Sequence, residues 1–179
     1  MKQNSIKLSE IEKKFINSLF QSASSTDSEI AKKIGVSKAS VSRIKKKLQK
    51  EGVLVAFTPV VDFEKLDITL FATIIFEWKN FSNEKLTKEM EEWLVKNSHT
   101  ILVSEGESVE GLNYMVYAGF RNIEDYHEYS RDFRKKYEES IGAVKVFFTP
   151  IKKILMQDYA KLVTFAINEL DKENQGDKK

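Results

Sequence analysis

The chain of 179 residues contains no cysteine, only two prolines, seven glycines and two histidines. Without cysteine there are no disulfides, thiolate metal ligands or cysteine nucleophiles, which fits a reducing compartment such as the cytoplasm. The scarcity of proline and glycine argues against long unstructured linkers. No apolar stretch approaches the roughly 18 residues of a membrane helix, and the first residues lack the apolar segment of a signal peptide. We therefore expect a cytoplasmic protein with no membrane partner.

Residue patterns that usually indicate catalysis or metal binding are also few. His99 and His127 have no second histidine or carboxylate at metal-ligand spacing. Gly106 and Gly111 bracket an acidic segment, which would repel a phosphate rather than cradle it. We therefore expect no enzyme activity, no metal and no cofactor, and we interpret both histidines as structural or surface residues.

The charged residues are distributed unevenly between the two parts of the chain. Residues 1–65 carry 13 Lys/Arg and 7 Asp/Glu, a net +6, whereas residues 66–179 carry 16 and 20, a net −4. Within Thr26–Lys50 alone there are 8 basic and 2 acidic residues. A local cationic excess is what a phosphate-binding surface requires. The excess of positive charge fits a solvated lysine-rich helix equally well, so charge alone does not establish a phosphate-binding surface.

Three short helices are predicted before residue 51, each from apolar residues at helical spacing. Ser9 with Glu12 makes a capping box at the start of the first helix. Thr26 caps the second, and Gly35 follows it where a left-handed residue ends a helix. Ser37 then caps the third. Two helices joined by a short turn that contains glycine are typical of the helix-turn-helix.

The third helix carries small and basic residues opposite the apolar positions Val41, Ile44 and Leu48. A helix that enters the major groove needs small residues near its start and hydrogen-bond donors further along. Arg43 is the best candidate for a guanine contact, and the later lysines are interpreted as phosphate contacts. The sequence thus predicts a protein that binds double-stranded DNA. The predicted contacts are Ser37, Lys38, Ala39, Ser42, Arg43, Lys46, Lys47 and Lys50.

Beyond this helix, the apolar runs 53–57 and 60–63 predict a β-hairpin, the wing of a winged helix. Strands and helices in the order β-α-β-β-α-β are predicted next, over Ile68–Trp78, Asn83–Asn97, Thr100–Glu105, Leu112–Phe120, Asn122–Glu139 and Ala143–Thr149. That order is typical of a ferredoxin-like domain, with both helices on one face of an antiparallel sheet. A final helix is expected over Gln157–Leu170, with Tyr159, Leu162, Val163 and Ala166 buried.

The predicted fold class is therefore α+β. It comprises a winged helix-turn-helix domain at residues 1–65, a ferredoxin-like domain at residues 66–170 and a polar tail at residues 171–179.

Residues 8–63 resemble the DNA-binding half of the leucine-responsive and asparagine-operon (Lrp/AsnC) regulators. The residues responsible are the run from Ser28 to Arg43, then Leu48, the segment Glu51-Gly-Val-Leu, and the apolar residues after it. The β-α-β-β-α-β order is similar to that family's regulatory domain. The resemblance implies pseudo-palindromic operators, dimers formed through the sheet of the second domain, higher oligomers in some members, and an amino acid or other small effector.

The resemblance also places the effector site, at Gly106, Asn113 and Tyr114. Here the sequence departs from the family's pattern, because the connection 105–111 is unusually acidic and Asn113-Tyr114 stands where a Tyr-Asp pair is common. The helix after Leu155 extends beyond the usual end of the domain and is a candidate for dimerisation.

Two other functions remain open at this point. The chain could be an architectural DNA-packaging protein that depends on phosphate contacts alone, with weak sequence preference. Alternatively, the second half could be an enzyme or small-molecule carrier with an appended DNA-binding domain. That function would need a compact cluster of titratable residues, which the sequence does not suggest.

Overall fold

The protein is described by a computed structural model that covers residues 7–21, 25–57, 61–108, 110–155 and 160–167. Its first three helices are α1 (Glu10–Gln21), α2 (Asp27–Ile34) and α3 (Lys38–Lys50). The predicted capping boxes are present at α1, between Ser9 and Glu12, and at α2, between Thr26 and Glu29. The three predicted helices are therefore confirmed, together with the side chains that start them.

The core of these helices includes a residue from much later in the chain. Residues 160–167 are helical, and Ile167 is 6% exposed within a cluster that α1, α2 and α3 complete. The other members of the cluster are Phe15, Ile16, Ile30, Ala31, Val41 and Leu48. The chain accordingly forms two compact units, one of Met1–Val60 with Met156–Lys179 and one of Val61–Leu155. The second domain expected at residues 66–170 ends earlier than its predicted boundary.

The last helix also presents a different face from the predicted one. Val163 is half-buried against the cluster as expected, but Leu162 and Ala166 are exposed. Positions 160, 163 and 167 share one side of a helix, and this is the side turned to the core. Tyr159 lies outside the described residues.

The wing differs from the predicted hairpin. Residues 53–57 and 61–63 form no strands, and residues 58–60 lie outside the described part of the chain. Instead, the amides of Val53 and Leu54 both donate to the Leu48 carbonyl, at 2.9 and 3.1 Å, which turns the chain back at the end of α3. An isolated two-stranded hairpin is marginally stable, and Pro59 lacks the donor that a ladder needs.

The second unit contains β1 (Leu70–Trp78), α4 (Glu84–Lys96), β2 (Thr100–Glu105), β3 (Tyr114–Phe120), α5 (Ile123–Tyr137) and β4 (Ile141–Pro150). The strands form one antiparallel sheet in the order β2-β3-β1-β4. The predicted β-α-β-β-α-β order is confirmed. No helix within the described ranges is long and apolar enough to cross a membrane.

Both helices pack on the same face of the sheet. Alternate residues of β1, from Ala72 to Trp78, are buried there with Met90 and Leu94 of α4. The aromatic residues of α5 in this core are Tyr126, Tyr129, Phe133 and Tyr137. We name the opposite side the open face. Its cross-strand partners are Thr73, Tyr117, Leu102 and Phe147 in one row and Ile75, Met115, Ser104 and Lys145 in the next.

Candidate nucleic-acid interface

The turn between α2 and α3 sets the direction of the third helix. Gly35 ends α2 in the left-handed region, at φ 76°, and its amide donates to the Ala31 carbonyl. An ideal Cβ at Gly35 would meet nothing within 4 Å, so the sign of φ rather than space favours glycine. Ser37 then returns to an extended conformation, and its Oγ accepts from the Ser40 amide at 3.1 Å. Two successive caps thus define where α3 begins.

The apolar side of α3 packs against the core, with Ile44 half-buried there, and its opposite side is open. Val41 and Leu48 have no exposed surface. On the opposite side Ala39 is exposed and Ser42 is half-buried. This arrangement leaves the small residues accessible near the start of the helix, as predicted for entry into a major groove.

Four of the cations on α3 are exposed and have no carboxylate partner among the described residues. They are Lys38, Arg43, Lys46 and Lys50. We name this set the cationic face. Unpaired cations near a surface attract phosphates over roughly a Debye length, about 8 Å at physiological salt. This face can therefore bind a polyanion without first breaking an internal ion pair.

Lys47 is an exception among the predicted phosphate contacts. Its Nζ lies 2.6 Å from Oε1 of Glu12, whose side chain is almost completely buried, and 3.8 Å from Glu51. The hydrogen bond from Lys47 to Glu12 raises the pKa of Lys47. The structure thus engages Lys47 within the protein, apart from the cationic face. The sequence predicted the cap by Glu12, but it gave no means of choosing which lysine Glu12 would meet.

The neighbouring lysines point in other directions. The Nζ of Lys45 lies 4.5 Å from the centre of the Phe57 ring, a distance at which an ammonium is attracted to an aromatic face. Lys46 is exposed between them. Three consecutive lysines therefore contact an aromatic ring, solvent and a buried carboxylate, and only Lys46 joins the cationic face.

The predicted effector residues lie together at one end of the sheet, where β2 and β3 are connected. The Gly106 amide donates to the Asn113 carbonyl at 2.9 Å. The Asn113 side chain accepts from the Trp78 amide and donates to the Trp78 carbonyl. The hydroxyl of Tyr114, a buried residue, donates to Oε1 of Glu91 at 2.6 Å. The side chains of Asn113 and Tyr114 are therefore already engaged within the fold.

Two features of this region were not anticipated from the sequence. The Phe81 ring stacks on Tyr114 with centroids 6.1 Å apart, and Lys145 on the open face forms an ion pair with Glu110 of the β2–β3 connection. Burial and the Glu91 carboxylate raise the pKa of Tyr114, so its hydroxyl stays protonated. These contacts stabilise the end of the sheet from within the fold.

The two histidines differ in their surroundings. Nδ1 of His99 donates to the Gly119 carbonyl at 2.9 Å, and the ring stacks on Phe120, while His127 is exposed on α5. Within the described ranges, no group of three or more His, Cys, Asp or Glu side chains is arranged to hold a metal ion. Both positions agree with their interpretation as structural or surface residues.

Comparisons with known proteins agree with this geometry. Residues 8–55 match the family described as winged helix-turn-helix DNA-binding. The chain is similar to an uncharacterised HTH-type transcriptional regulator of Pyrococcus furiosus, with 23% identity over 136 residues that cover 75% of this chain and 85% of the relative. The matched residues 8–55 include α1, α2 and α3, the helices that present the cationic face.

Solved structures with a similar fold cover most of the chain. An AsnC family transcriptional regulator from Agrobacterium tumefaciens has a TM-score of 0.73 and 17% identity, covering 84% of this chain and 94% of its own. A transcriptional regulator from Neisseria meningitidis, in complex with L-Met, has a TM-score of 0.73 and 14% identity, covering 86% and 96%. AsnC of E. coli has a TM-score of 0.67 and 13% identity, covering 85% and 97%.

Proposed function

We propose that the chain is an Lrp/AsnC-like helix-turn-helix transcription regulator and that it recognises specific double-stranded DNA sites as a homodimer or higher oligomer. Arg43 reads a base, Ala39 and Ser42 allow close approach, and Lys38, Lys46 and Lys50 contact phosphates. Ser37 contributes mainly by fixing the start of α3, because its hydroxyl already accepts from Ser40.

The observation that carries this proposal is the cationic face on α3. It combines four unpaired cations with small residues on the one side of the helix that the core leaves open. Arginine can engage two acceptors of guanine at once, whereas lysine acts as a point charge toward phosphates. One arginine among lysines therefore favours a base contact supported by backbone contacts.

The open face of the sheet supports assembly into a dimer. Phe147 is 70% exposed there, and Leu102 lies in the same row of residues. Exposed apolar side chains on a sheet without helices are typical of an interface between copies. A symmetric dimer would present two copies of α3 to successive major grooves, about 34–36 Å apart on a pseudo-palindromic site.

Control by a small molecule is a further part of the proposal. The Neisseria meningitidis relative is described as a complex with L-Met, and the residues proposed for an effector here are Gly106, Asn113 and Tyr114. Since Asn113 and Tyr114 use their side-chain polar groups within the fold, a ligand would contact mainly the backbone of the β2–β3 connection and the exposed residues beside it.

Architectural DNA packaging is the competing function, because three of the four free cations are lysines. The test has two steps: selection of genomic fragments bound by the full chain, then titration of salt on the selected duplex and on a random duplex. A regulator binds the selected duplex more tightly by about 10³ or more at physiological salt. Equal affinity for both duplexes at every salt concentration would establish the architectural function instead.

A further inference from the structure

We propose that Glu12 is the positioning residue of the DNA-reading helix: it holds Lys47 inside the helix-turn-helix unit, which fixes α3 and keeps one positive charge away from DNA. The inference rests on the proposed function, and it concerns a residue on α1 that itself lies outside the cationic face. Three observations support it: the hydrogen bonds of the carboxylate, its burial and the place of Lys47 on α3.

Both oxygens of the Glu12 carboxylate are engaged. Oε2 accepts from the amide and from the hydroxyl of Ser9, at 2.7 and 2.8 Å, and Oε1 accepts from Nζ of Lys47 at 2.6 Å. The capping box thus holds the carboxylate in one orientation, and the remaining oxygen faces α3. A pair separated by 35 residues in sequence thereby joins the first turn of α1 to the last turn of α3.

Burial makes this contact hard to replace. Glu12 is 5% exposed; burial would raise the pKa of its carboxyl, but the hydrogen bonds from Lys47 and Ser9 outweigh that effect and lower it. Glu12 is therefore ionised at neutral pH. A buried carboxylate that loses its cation is uncompensated. The Lys47 side chain is 49% exposed, so its short bond to Glu12, with the longer ion pair to Glu51 at 3.8 Å, keeps it from turning outward.

The place of Lys47 on α3 links this contact to recognition. Apolar burial of Val41 and Leu48 is non-directional and tolerates a small rotation of the helix about its axis. A short ionic hydrogen bond is directional and opposes that rotation. Arg43 lies four residues before Lys47, on the next turn, so a rotation of α3 would move its guanidinium relative to the base edges.

The contact also determines how many charges face DNA. With Lys47 held by Glu12, the cationic face consists of Lys38, Arg43, Lys46 and Lys50. Binding weakens as salt rises, and each phosphate that a protein neutralises adds about 0.9 to the magnitude of the negative slope of log K against log salt; the slope below means this magnitude. The slope therefore distinguishes a lysine that contacts phosphate from one that positions the helix.

The test compares two adjacent lysines in the full chain, on the selected and random duplexes described above. Lys46→Met is expected to lower the slope by about 0.9, with little change in the ratio of the two affinities. Lys47→Met is expected to leave the slope unchanged and to lower the ratio several-fold. Equal losses of slope in both variants would overturn the inference, because Lys47 would then be a phosphate contact.

Glu12→Gln tests the same inference from the other partner. A glutamine side chain can still accept from the Ser9 amide, so the cap is kept while the charge is removed. We expect the slope to rise by up to about 0.9 as Lys47 becomes free to reach a phosphate, and the affinity ratio to fall. The double variant Glu12→Gln/Lys47→Met should return to the wild-type slope. An unchanged slope and ratio in Glu12→Gln would overturn the inference.

Failure of the proposed function is separable from failure of this inference. If wild-type protein binds no duplex, or binds both duplexes equally, the regulator proposal fails. The contact between Glu12 and Lys47 is then tested by thermal unfolding of wild type, Glu12→Gln, Lys47→Met and the double variant. Coupled residues give a double variant whose loss in melting temperature is smaller than the sum of the two single losses. Strictly additive losses would overturn the inference without any DNA measurement.

Discussion

The side-chain amide of Asn113 pairs with the backbone of Trp78 in both directions, accepting from its N–H at 2.7 Å and donating to its carbonyl at 3.0 Å. The pairing between β1 and β4 shifts between Phe76 and Trp78. The amide of Asn113 therefore satisfies backbone groups of Trp78 close to this irregularity.

Asn113→Ala should destabilise the second unit by about 1–3 kcal/mol, because it leaves partly buried backbone groups of Trp78 without partners. Chemical denaturation followed by tryptophan fluorescence measures the change. Glu107→Ala, at an exposed position of the same connection, is the control and should have no effect. Equal stability of Asn113→Ala and wild type would mean that water replaces the amide.

A pair of tyrosines should respond in opposite ways to loss of the hydroxyl. Tyr114→Phe removes the bond to Glu91 and should cost about 1–2 kcal/mol. The hydroxyl of Tyr129 is buried with no hydrogen-bond partner among the described residues, so Tyr129→Phe should be neutral or stabilising. Urea unfolding measures the change in unfolding free energy of both variants. A loss of stability in Tyr129→Phe as large as in Tyr114→Phe would show that the Tyr129 hydroxyl does have a hydrogen-bond partner.

The helix at residues 160–167 should stabilise the DNA-binding unit. Ile167→Ala removes a residue that is 6% exposed in that core, and the typical cost is about 2–5 kcal/mol. Phe165→Ala, on the same helix at a position that is 60% exposed, should change stability by less than about 0.5 kcal/mol. The measurements are the melting temperature and the DNA affinity of each variant. Equal losses in Ile167→Ala and Phe165→Ala would show that this helix does not pack on the core through Ile167.

Arg43→Ala should relax sequence preference at one base position by about 1–3 kcal/mol. Lys50→Ala should instead weaken binding to all sequences alike, because a phosphate contact carries no base information. Affinities for a set of single-base variants of the selected site distinguish the two. A uniform loss in Arg43→Ala would reassign Arg43 to the backbone-contacting residues.

The lowered pKa of Glu12 predicts how its contribution to stability depends on pH. A carboxyl with a lower pKa in the folded state stabilises the protein above its unfolded value, about 4.3. That contribution is lost as the pH falls through the folded value. The melting temperatures of wild type and Glu12→Gln should therefore differ by a constant amount between about pH 7 and pH 6, and the difference should shrink as the pH falls below about 4.3 and through the lower folded value. A melting-temperature difference that stays constant in acid would show that the ionised carboxylate of Glu12 is not what stabilises the protein.

Much of the second unit could be predicted from the sequence, because its pattern is local. Alternation along β1, from Ala72 to Trp78, and the helical spacing of Met90 and Leu94 each arise within one element. The order of these elements then leaves few topologies. Every predicted strand and helix of this unit ends within two residues of the observed position.

Contacts between distant residues were harder to predict. Helical spacing places Lys46 opposite the buried positions and Lys47 to one side of them, but whether Lys47 meets a carboxylate depends on where α1 places Glu12 in three dimensions. The core against which Ile167 packs could not be identified from the sequence either, because an amphipathic helix can pack on any apolar surface of the right shape.

The helix-turn-helix core is built from residues near the beginning of the sequence and from Ile167 near its end, so it is completed late in translation. A ribosome synthesises α1, α2 and α3 first, but Phe15 and Ile16 gain their neighbour Ile167 only after the whole sheet has been translated. A nascent chain therefore carries an incomplete core through most of its synthesis. Full stability of the DNA-reading unit is reached only by chains that have been translated almost to the end, which disfavours binding by prematurely terminated products.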